Sequence, residues 1–343
     1  MIAYAASQAV SPAVERMKRF LFQPFRFWTF LKLAFVAVLT EGGSSSYNGS
    51  QSRGSHPTPG PLFGSGFEMT PASVLVAILI AALALMLVFW LWYLIVRLRF
   101  AFFHCLVHQV REIAPGWRLY ARPAMRMFQL HVVFALLFLA GLALLAAPFV
   151  YLFRGPIFSG RQPDLGSIVL AVAVAIPLFL ALIVVAIASR IIMDDFLTPH
   201  MALEGATVAE AWQAARPRYL AEKGGFWLYG LLRVLLAFVA ELAAILILVI
   251  PGLVALIVYA GIFAGLHAAL PDASGSGYVL RMTIDAVLAA VGVALGIVAL
   301  LFLTGPIATW KREYAVVFYG GRYETLGNLL SPPPPPVDAS AGI

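Results

Sequence analysis

Two ionisable residues, Arg233 and Glu241, lie inside a hydrophobic run, 226–250, that is long enough to cross a membrane. Ionisable side chains at such depth are costly and normally face a bundle interior or a water-filled cavity. In a helix their spacing gives about 12 Å of rise and about 80° of rotation, so they share a broad face but cannot pair directly. The pattern predicts an intramembrane polar site for a proton, an ion or a lipid headgroup. The alternative is that each group is a structural partner for a polar group on a neighbouring helix.

A second group of ionisable residues, Asp194, Asp195 and His200, ends another hydrophobic run. Acidic residues at a helix C-terminus oppose the helix dipole, so basic side chains must offset them. The arginines available in nearby loops are Arg122, Arg216 and Arg218. We expect a structural ion-pair network on the cytoplasmic face, and general acid–base catalysis is the alternative interpretation.

Three potential metal ligands, His104, His108 and Glu112, recur every four residues and would lie along one stripe of a helix. Two histidines at this spacing can share a zinc ion, and a carboxylate could complete the site. Cys105, the single cysteine, would point about 100° away. On a surface helix such a stripe is more often only the solvated face, so these are weak candidates and we expect no bound metal or other cofactor.

The composition is that of a chain whose main solvent is the lipid bilayer. Hydrophobic residues make up 62% of the 343 residues and charged residues only 11%, whereas a soluble domain carries about 25% charged residues. The net charge of +7 arises from 23 basic and 16 acidic residues. Because the basic residues are scattered singly among loops, they do not predict a nucleic-acid partner. They predict loops that face anionic lipid, with membrane lipids or another membrane protein as partners.

Six hydrophobic runs are separated by polar loops. Their ranges are 27–40, 73–96, 129–153, 166–193, 226–250 and 284–304. They predict an all-α, polytopic transmembrane helix bundle with about six crossings. The first run is short and contains Lys32, whose side chain could reach back to the headgroups. A further glycine-interrupted run, 253–270, is predicted to be re-entrant or interfacial, with a seventh crossing as the alternative.

The distribution of basic residues predicts the orientation of the chain. Loops 98–128 and 194–225 are rich in Arg and Lys, whereas 41–72 and 154–165 contain few. The positive-inside rule places the first two loops and the N-terminus in the cytoplasm. The C-terminus lies on the same side if 253–270 does not cross.

Amphipathic helices are predicted at the membrane surface. They cover residues 10–22, 98–114 and 206–216. The last begins with a capping box, in which Thr207 and Glu210 satisfy free N–H groups at the helix start. We expect Pro217 to end this helix, because proline lacks an N–H and clashes with the preceding turn.

Three regions follow from these assignments. Residues 1–26 are a cytoplasmic amphipathic lead-in, 27–320 are the transmembrane helical domain, and 321–343 are a proline-rich disordered tail. Within the transmembrane domain, residues 41–72 are rich in Gly, Ser and Pro and form an extracytoplasmic loop.

Three segments carry a family resemblance. They are FQPFRFWTFLKLAFVAVLTEGG near the N-terminus, DDFLTPHMALEGATVAEAWQAARPRYLAEKGGFWLYGLL in the middle and TGPIATWKREYAVVFYGGRYETL near the end. With them the chain is similar to uncharacterised bacterial multipass membrane families that resemble the membrane domain of glycerophosphoryl diester phosphodiesterases. The resemblance implies six transmembrane helices, both termini in the cytoplasm and no established biochemical role. The catalytic domain is absent from this sequence, so the phosphodiesterase activity is not implied.

The sequence therefore predicts a non-catalytic integral protein of the bacterial inner membrane that contacts lipid or a membrane partner. It contains no Ser-His-Asp spacing, nucleophile elbow or phosphate-binding loop, and so it does not predict an enzyme. A small transporter or permease that uses Arg233 and Glu241 is the first alternative, although no internal repeat is visible. A membrane-embedded lipid enzyme is the second.

Overall fold

A computed structural model describes residues 4–41, 71–159, 165–269 and 276–331. This part of the chain is helical and contains no strand, which confirms the all-α fold class. A π-helical turn, Ile192–Leu197, joins α6 to α7. The helices are α1 Val10–Phe22, α2 Phe27–Glu41, α3 Pro71–His108, α4 Ile113–Leu119, α5 Ala121–Ser159, α6 Leu165–Ile191, α7 Thr198–Leu203, α8 Val208–Ala221, α9 Lys223–Ala269, α10 Ser276–Gly320 and α11 Glu324–Leu330.

Among the described residues, five helical segments are long and apolar enough to cross a membrane. They are Ser73–His108, Ala121–Tyr151, Leu165–Leu203, Lys223–Gly265 and Tyr278–Gly320. Their most apolar stretches lie almost entirely on the surface of the protein. A hydrophobic surface of this extent requires lipid or another apolar partner to cover it, which is compatible with a multipass membrane protein.

One expectation about the spans needs correction. Residues 253–270 are not a separate re-entrant segment, because α9 runs without a break through Pro251 as a single helix of 47 residues. Pro251 removes only one backbone hydrogen bond, and a helix in an apolar environment has no water to replace the others if it unwinds. In addition, α2 has only 15 residues, or about 22 Å of length, so it is shorter than the about 30 Å hydrocarbon core of a bilayer.

The five long helices bury one end each, and these ends meet in three adjoining hydrophobic clusters, which together we call the core end. The buried ends comprise the last three turns of α3, the first turns of α5 and α9, the turn after α6, and the second half of α10. Residues 308–320 of α10 are buried on every side. Tyr229 of α9 stacks on two of them, with ring centroids 4.9 Å from Tyr314 and 4.3 Å from Phe318. The end of α10 is therefore the centre of the core.

Helices α1 and α2 form a hairpin against this part of α10. In α1, Arg16 pairs with Glu313 at 2.9 Å. In α2, the ring of Phe30 lies 4.5 Å from that of Phe302, and Glu41 lies 3.8 Å from Arg312. Helix α2 thus runs parallel to α10, and its last described residue lies inside the core.

The predicted surface helices are found in part. The capping box of Thr207 and Glu210 is confirmed, but the helix continues through Pro217 to Ala221. Near this proline the Arg218 side chain donates to the Ala214 carbonyl. Residues 98–114 are not one helix, because α3 ends at His108 and α4 folds back against it. A Cβ on Gly116 would lie 2.9 Å from the Ala101 Cα atom, so this close return requires glycine.

The predicted tail begins with ordered structure. Helix α11, Glu324–Leu330, packs on the core through Leu326, which is fully buried. Residues 332–343, which hold the proline tract, lie outside the described residues, as does most of the Gly/Ser/Pro-rich segment 41–72.

The packing of α2 on α10 predicts different outcomes for two glycines of α10. A Cβ on Gly305 would collide with the Cβ of Ala34 and lie 3.0 Å from its Cα, whereas a Cβ on Gly296 would meet nothing within 4 Å. We expect Gly305→Ala to lower the free energy of unfolding by about 1–3 kcal/mol. Gly296→Ala should be neutral or stabilising by up to about 1 kcal/mol. Thermal unfolding of both variants in detergent provides the comparison, and equal midpoints would contradict the close α2–α10 contact.

Candidate functional site

Three consecutive charged residues, Lys311, Arg312 and Glu313, lie in the buried part of α10. Successive side chains on a helix point about 100° apart, so each of the three faces a different neighbour. Lys311 pairs with Glu241 of α9 at 2.8 Å, and Glu313 pairs with Arg16 of α1. Arg312, which is only 1% exposed, reaches the π-helical turn. Each charge is thus matched by a group on another helix.

The two aspartates of the π-helical turn form ion pairs with most of the buried arginine side chains. Asp195 pairs with Arg233 and lies 3.4 Å from Arg312, and it accepts a hydrogen bond of 2.9 Å from the Tyr229 hydroxyl. Asp194 pairs with Arg99 of α3. It also has two more distant basic neighbours, Arg190 at 3.5 Å and His131 at 3.4 Å.

Glu41, the last residue of α2, adds a third buried carboxylate. It lies 3.2 Å from Arg233 and 3.8 Å from Arg312, and the neighbouring Thr40 carbonyl accepts a hydrogen bond of 2.7 Å from Arg99. Three carboxylates and three guanidinium groups therefore share one buried site. We call it the buried charge cluster, and its members are Glu41, Arg99, Asp194, Asp195, Arg233 and Arg312.

Pro199 leaves one carbonyl of the π-helical turn without its backbone donor. In a π-helix the carbonyl of residue 194 would accept from the N–H of residue 199, but proline has no N–H. Arg312 Nη1 donates to the Asp194 carbonyl instead, at 2.6 Å. The Thr198 hydroxyl similarly donates to the Met193 carbonyl at 3.1 Å. The turn therefore depends on a side chain from α10, and the widened backbone directs two adjacent aspartates into the core.

Arg233 and Glu241, the two residues first singled out, do not share a site. Arg233 belongs to the buried charge cluster, whereas Glu241 pairs with Lys311. The side chain of Glu241 remains 28% exposed on the apolar surface of α9. Both residues form an ion pair with a residue outside α9.

The arginines expected to offset Asp194 and Asp195 lie elsewhere. Arg122 and Arg216 are exposed, and Arg218 donates to the Arg322 carbonyl at 3.0 Å. The offsetting residues come instead from distant helices, because the charged ends of α3, α9 and α10 converge on the π-helical turn. His200 also lies apart from the aspartates, between the Tyr319 hydroxyl at 2.8 Å and Glu204 at 3.3 Å.

The three metal-ligand candidates do not form a stripe. Helix α3 ends at His108, and Gln109 has a positive φ of 54° that reverses the chain. His104 and His108 remain neighbours, with ring centroids 4.5 Å apart. Glu112, however, lies after the chain reversal, at the N-cap of α4. Within the described residues, no three His, Cys, Asp or Glu side chains are placed to hold a metal ion.

Glu204 and Tyr323 form a polar contact at the rim of the core end. Burial alone would raise the pKa of Glu204, but hydrogen bonds from Tyr323, at 2.6 Å, and His200 hold it below its ordinary value. Burial, together with the same hydrogen bond, raises the pKa of Tyr323. While Glu204 is ionised, its hydrogen bond with Tyr323 therefore links the end of α7 to the start of α11.

This contact predicts a pH dependence of stability on the acid side. The pKa of Glu204 is lower in the folded than in the unfolded chain, so its contribution is present above the unfolded value and is lost as the pH falls through the folded one. Tyr323→Phe removes the donor and should reduce the loss of melting temperature between pH 6 and pH 3. Tyr278→Phe, at an exposed position of α10, is the control. Identical pH profiles for wild type and Tyr323→Phe would contradict the assignment.

The buried charge cluster predicts a large effect for a substitution that preserves shape. Asp195→Asn leaves Arg233 and Arg312 with an uncompensated buried charge, and we expect it to cost about 3–5 kcal/mol. Glu222→Gln is the control, because Glu222 pairs with Arg322 at 2.8 Å but is half exposed, and such pairs contribute at most about 1 kcal/mol. Denaturant titration of both variants in detergent measures the difference, and similar small losses would show that the cluster is solvated.

Comparison with known proteins gives a family and no function. Neither a search of curated proteins nor a search of solved structures produced a match, and no relation to glycerophosphoryl diester phosphodiesterases emerged. A family model described as "Family of unknown function (DUF7544)" matches residues 4–329, which include the α1–α2 hairpin, the five long helices and the buried charge cluster. The chain belongs to this family.

Proposed function

We propose that the protein is a non-catalytic integral protein of the bacterial inner membrane that works by contacting membrane lipids or a membrane partner. The charged core end and the N-terminus lie on the cytoplasmic side, as the positive-inside rule favours. The apolar halves of the five long helices lie in the bilayer. On sequence resemblance alone, we also propose a kinship with the membrane domain of glycerophosphoryl diester phosphodiesterases.

The observation that supports a non-catalytic role is the pairing of the buried charges with one another. Arg233 and Arg312 face Asp195 and Glu41, and Glu313 faces Arg16. A catalytic or transport residue needs access to its substrate, whereas these groups are enclosed and engaged in holding helices together. The remaining contact surface is the apolar one, and lipids or membrane proteins are what such a surface binds.

A permease is the alternative that one observation favours. Glu241 is an acidic residue in a candidate span, and its side chain is partly open to the apolar surface. Such a group could bind a proton or a cation in transit, with Lys311 as its resting partner.

Exchanging the charges of Glu241 and Lys311 distinguishes a structural role of this pair from a role in transport. If Glu241 only holds α9 to α10, Glu241→Lys should lower the melting temperature, because it opposes Lys311 with a like charge. The double variant Glu241→Lys with Lys311→Glu should restore most of the loss, because it rebuilds the pair. Proteoliposomes carrying the double variant then test transport, since a permease would regain stability but not flux.

Native mass spectrometry of the protein released from lipid nanodiscs tests the lipid contact directly. We expect specific lipids to stay bound to the wild type, to Glu241→Gln and to the charge-exchanged variant alike. Loss of the bound lipid in Glu241→Gln, with no recovery on charge exchange, would assign the binding to Glu241 and favour the permease. Absence of bound lipid and of any bound polypeptide in the wild type would contradict the proposal.

A further inference from the structure

The connection between α1 and α2 presents aromatic side chains that the core does not cover. Phe22, Phe25, Phe27 and Trp28 are all exposed, Trp28 by 71%. Aromatic residues of this size are uncommon in clusters on a water-facing surface. They are enriched where a membrane meets water, because an aromatic ring has an apolar body that tolerates the headgroup region.

The position of this connection places it beside the apolar part of the molecule. The rings of Phe25 and Phe30 lie 6.4 Å and 4.5 Å from that of Phe302 in α10. Phe302 stands where α10 changes from an exposed apolar helix to the fully buried stretch 308–320. A bilayer that surrounds the exposed apolar half of α10 has its surface at this level.

Basic side chains surround the aromatic ones. Lys18, Arg19, Arg26 and Lys32 are exposed on α1, on the connection and on α2. Within residues 4–41 the exposed acidic residue is Glu15, which lies 3.6 Å from Arg19. The surface is therefore complementary in charge to anionic lipid headgroups and in polarity to the region just beneath them.

The connection is also held in place by the core. Arg111 donates to the carbonyls of Phe20 and Pro24, at 2.9 and 2.7 Å, and so satisfies acceptors at the C-terminal end of α1. Its positive charge is favourable at that end of the helix dipole. The aromatic and basic side chains are thus presented in a fixed arrangement, which reduces the entropy lost when they bind.

We propose that residues 22–28, together with Lys18, Arg19 and Lys32, bind the anionic headgroups and the interfacial region of one membrane leaflet. This inference rests on the proposed function, for which it names the surface and the lipid class. The hairpin then lies in the interface beside the five long helices.

The depth of residue 28 gives the first test. A nitroxide is attached to Trp28→Cys in a Cys105→Ser background, in nanodiscs of equal parts phosphatidylcholine and phosphatidylglycerol. Serine keeps a donor for the Glu112 carbonyl, to which the buried Cys105 thiol donates. We expect the label to collide more with oxygen and less with a water-soluble nickel chelate than a label at Asn328→Cys, an exposed position of α11. Equal nickel access at the two positions would overturn the proposal.

The lipid preference gives the second test. In native mass spectrometry from the same nanodiscs, Arg26→Gln with Lys32→Gln should lower the ratio of retained phosphatidylglycerol to phosphatidylcholine by about fivefold per charge removed. Arg216→Gln with Lys223→Gln removes two exposed charges of the core end and should leave the ratio unchanged. If neither double variant changes the amount of retained phosphatidylglycerol, this binding site is overturned, although lipid binding itself is not. No retained lipid in any variant would overturn the lipid-binding function itself.

Discussion

The structure depends on the fact that a charged side chain cannot be left unpaired in a low-dielectric interior. Arg312 is almost fully buried in a helix that is covered on every side, and the cost of removing a lone guanidinium from water is several kcal/mol or more. Its carboxylate neighbours come from the π-helical turn and from α2. Because these groups must arrive together, the charge on α10 constrains the positions of the π-helical turn and of Glu41.

The buried charge cluster does more for specificity than its pairing energy suggests. A buried ion pair is often no more stabilising than apolar residues of the same volume, since desolvation offsets most of the attraction. Long apolar helices, however, can slide along one another with little change in contact area. The pairing of Arg99 with Asp194 and of Arg233 with Asp195 requires these residues to lie at matching heights, so the cluster favours one register of α3, α6 and α9.

The features that the sequence predicted correctly are local ones. The hydrophobic runs and the capping box of Thr207 and Glu210 depend only on residues that are close together in the sequence. The contacts that hold the site together are remote: Arg312 and Asp195 are separated by 117 positions, and Arg233 and Glu41 by 192. Hydropathy could show that α2 must be covered, but it could not distinguish cover by lipid from cover by α10. The one available signal was the pair Asp194–Asp195 followed by Pro199, which disfavours a regular helix at that point.

Helix α2 joins the exposed aromatic residues of the α1–α2 connection to the buried charge cluster. Trp28 lies at its start among the exposed aromatic residues, and Glu41 lies at its end in the buried charge cluster. The helix packs on α10 through the contact between Ala34 and Gly305, which leaves no room for a larger side chain. Such close packing leaves α2 little freedom to shift along α10. The pairing of Glu41 with Arg233 and Arg312 anchors the other end of α2 in the same buried charge cluster that holds the long helices together.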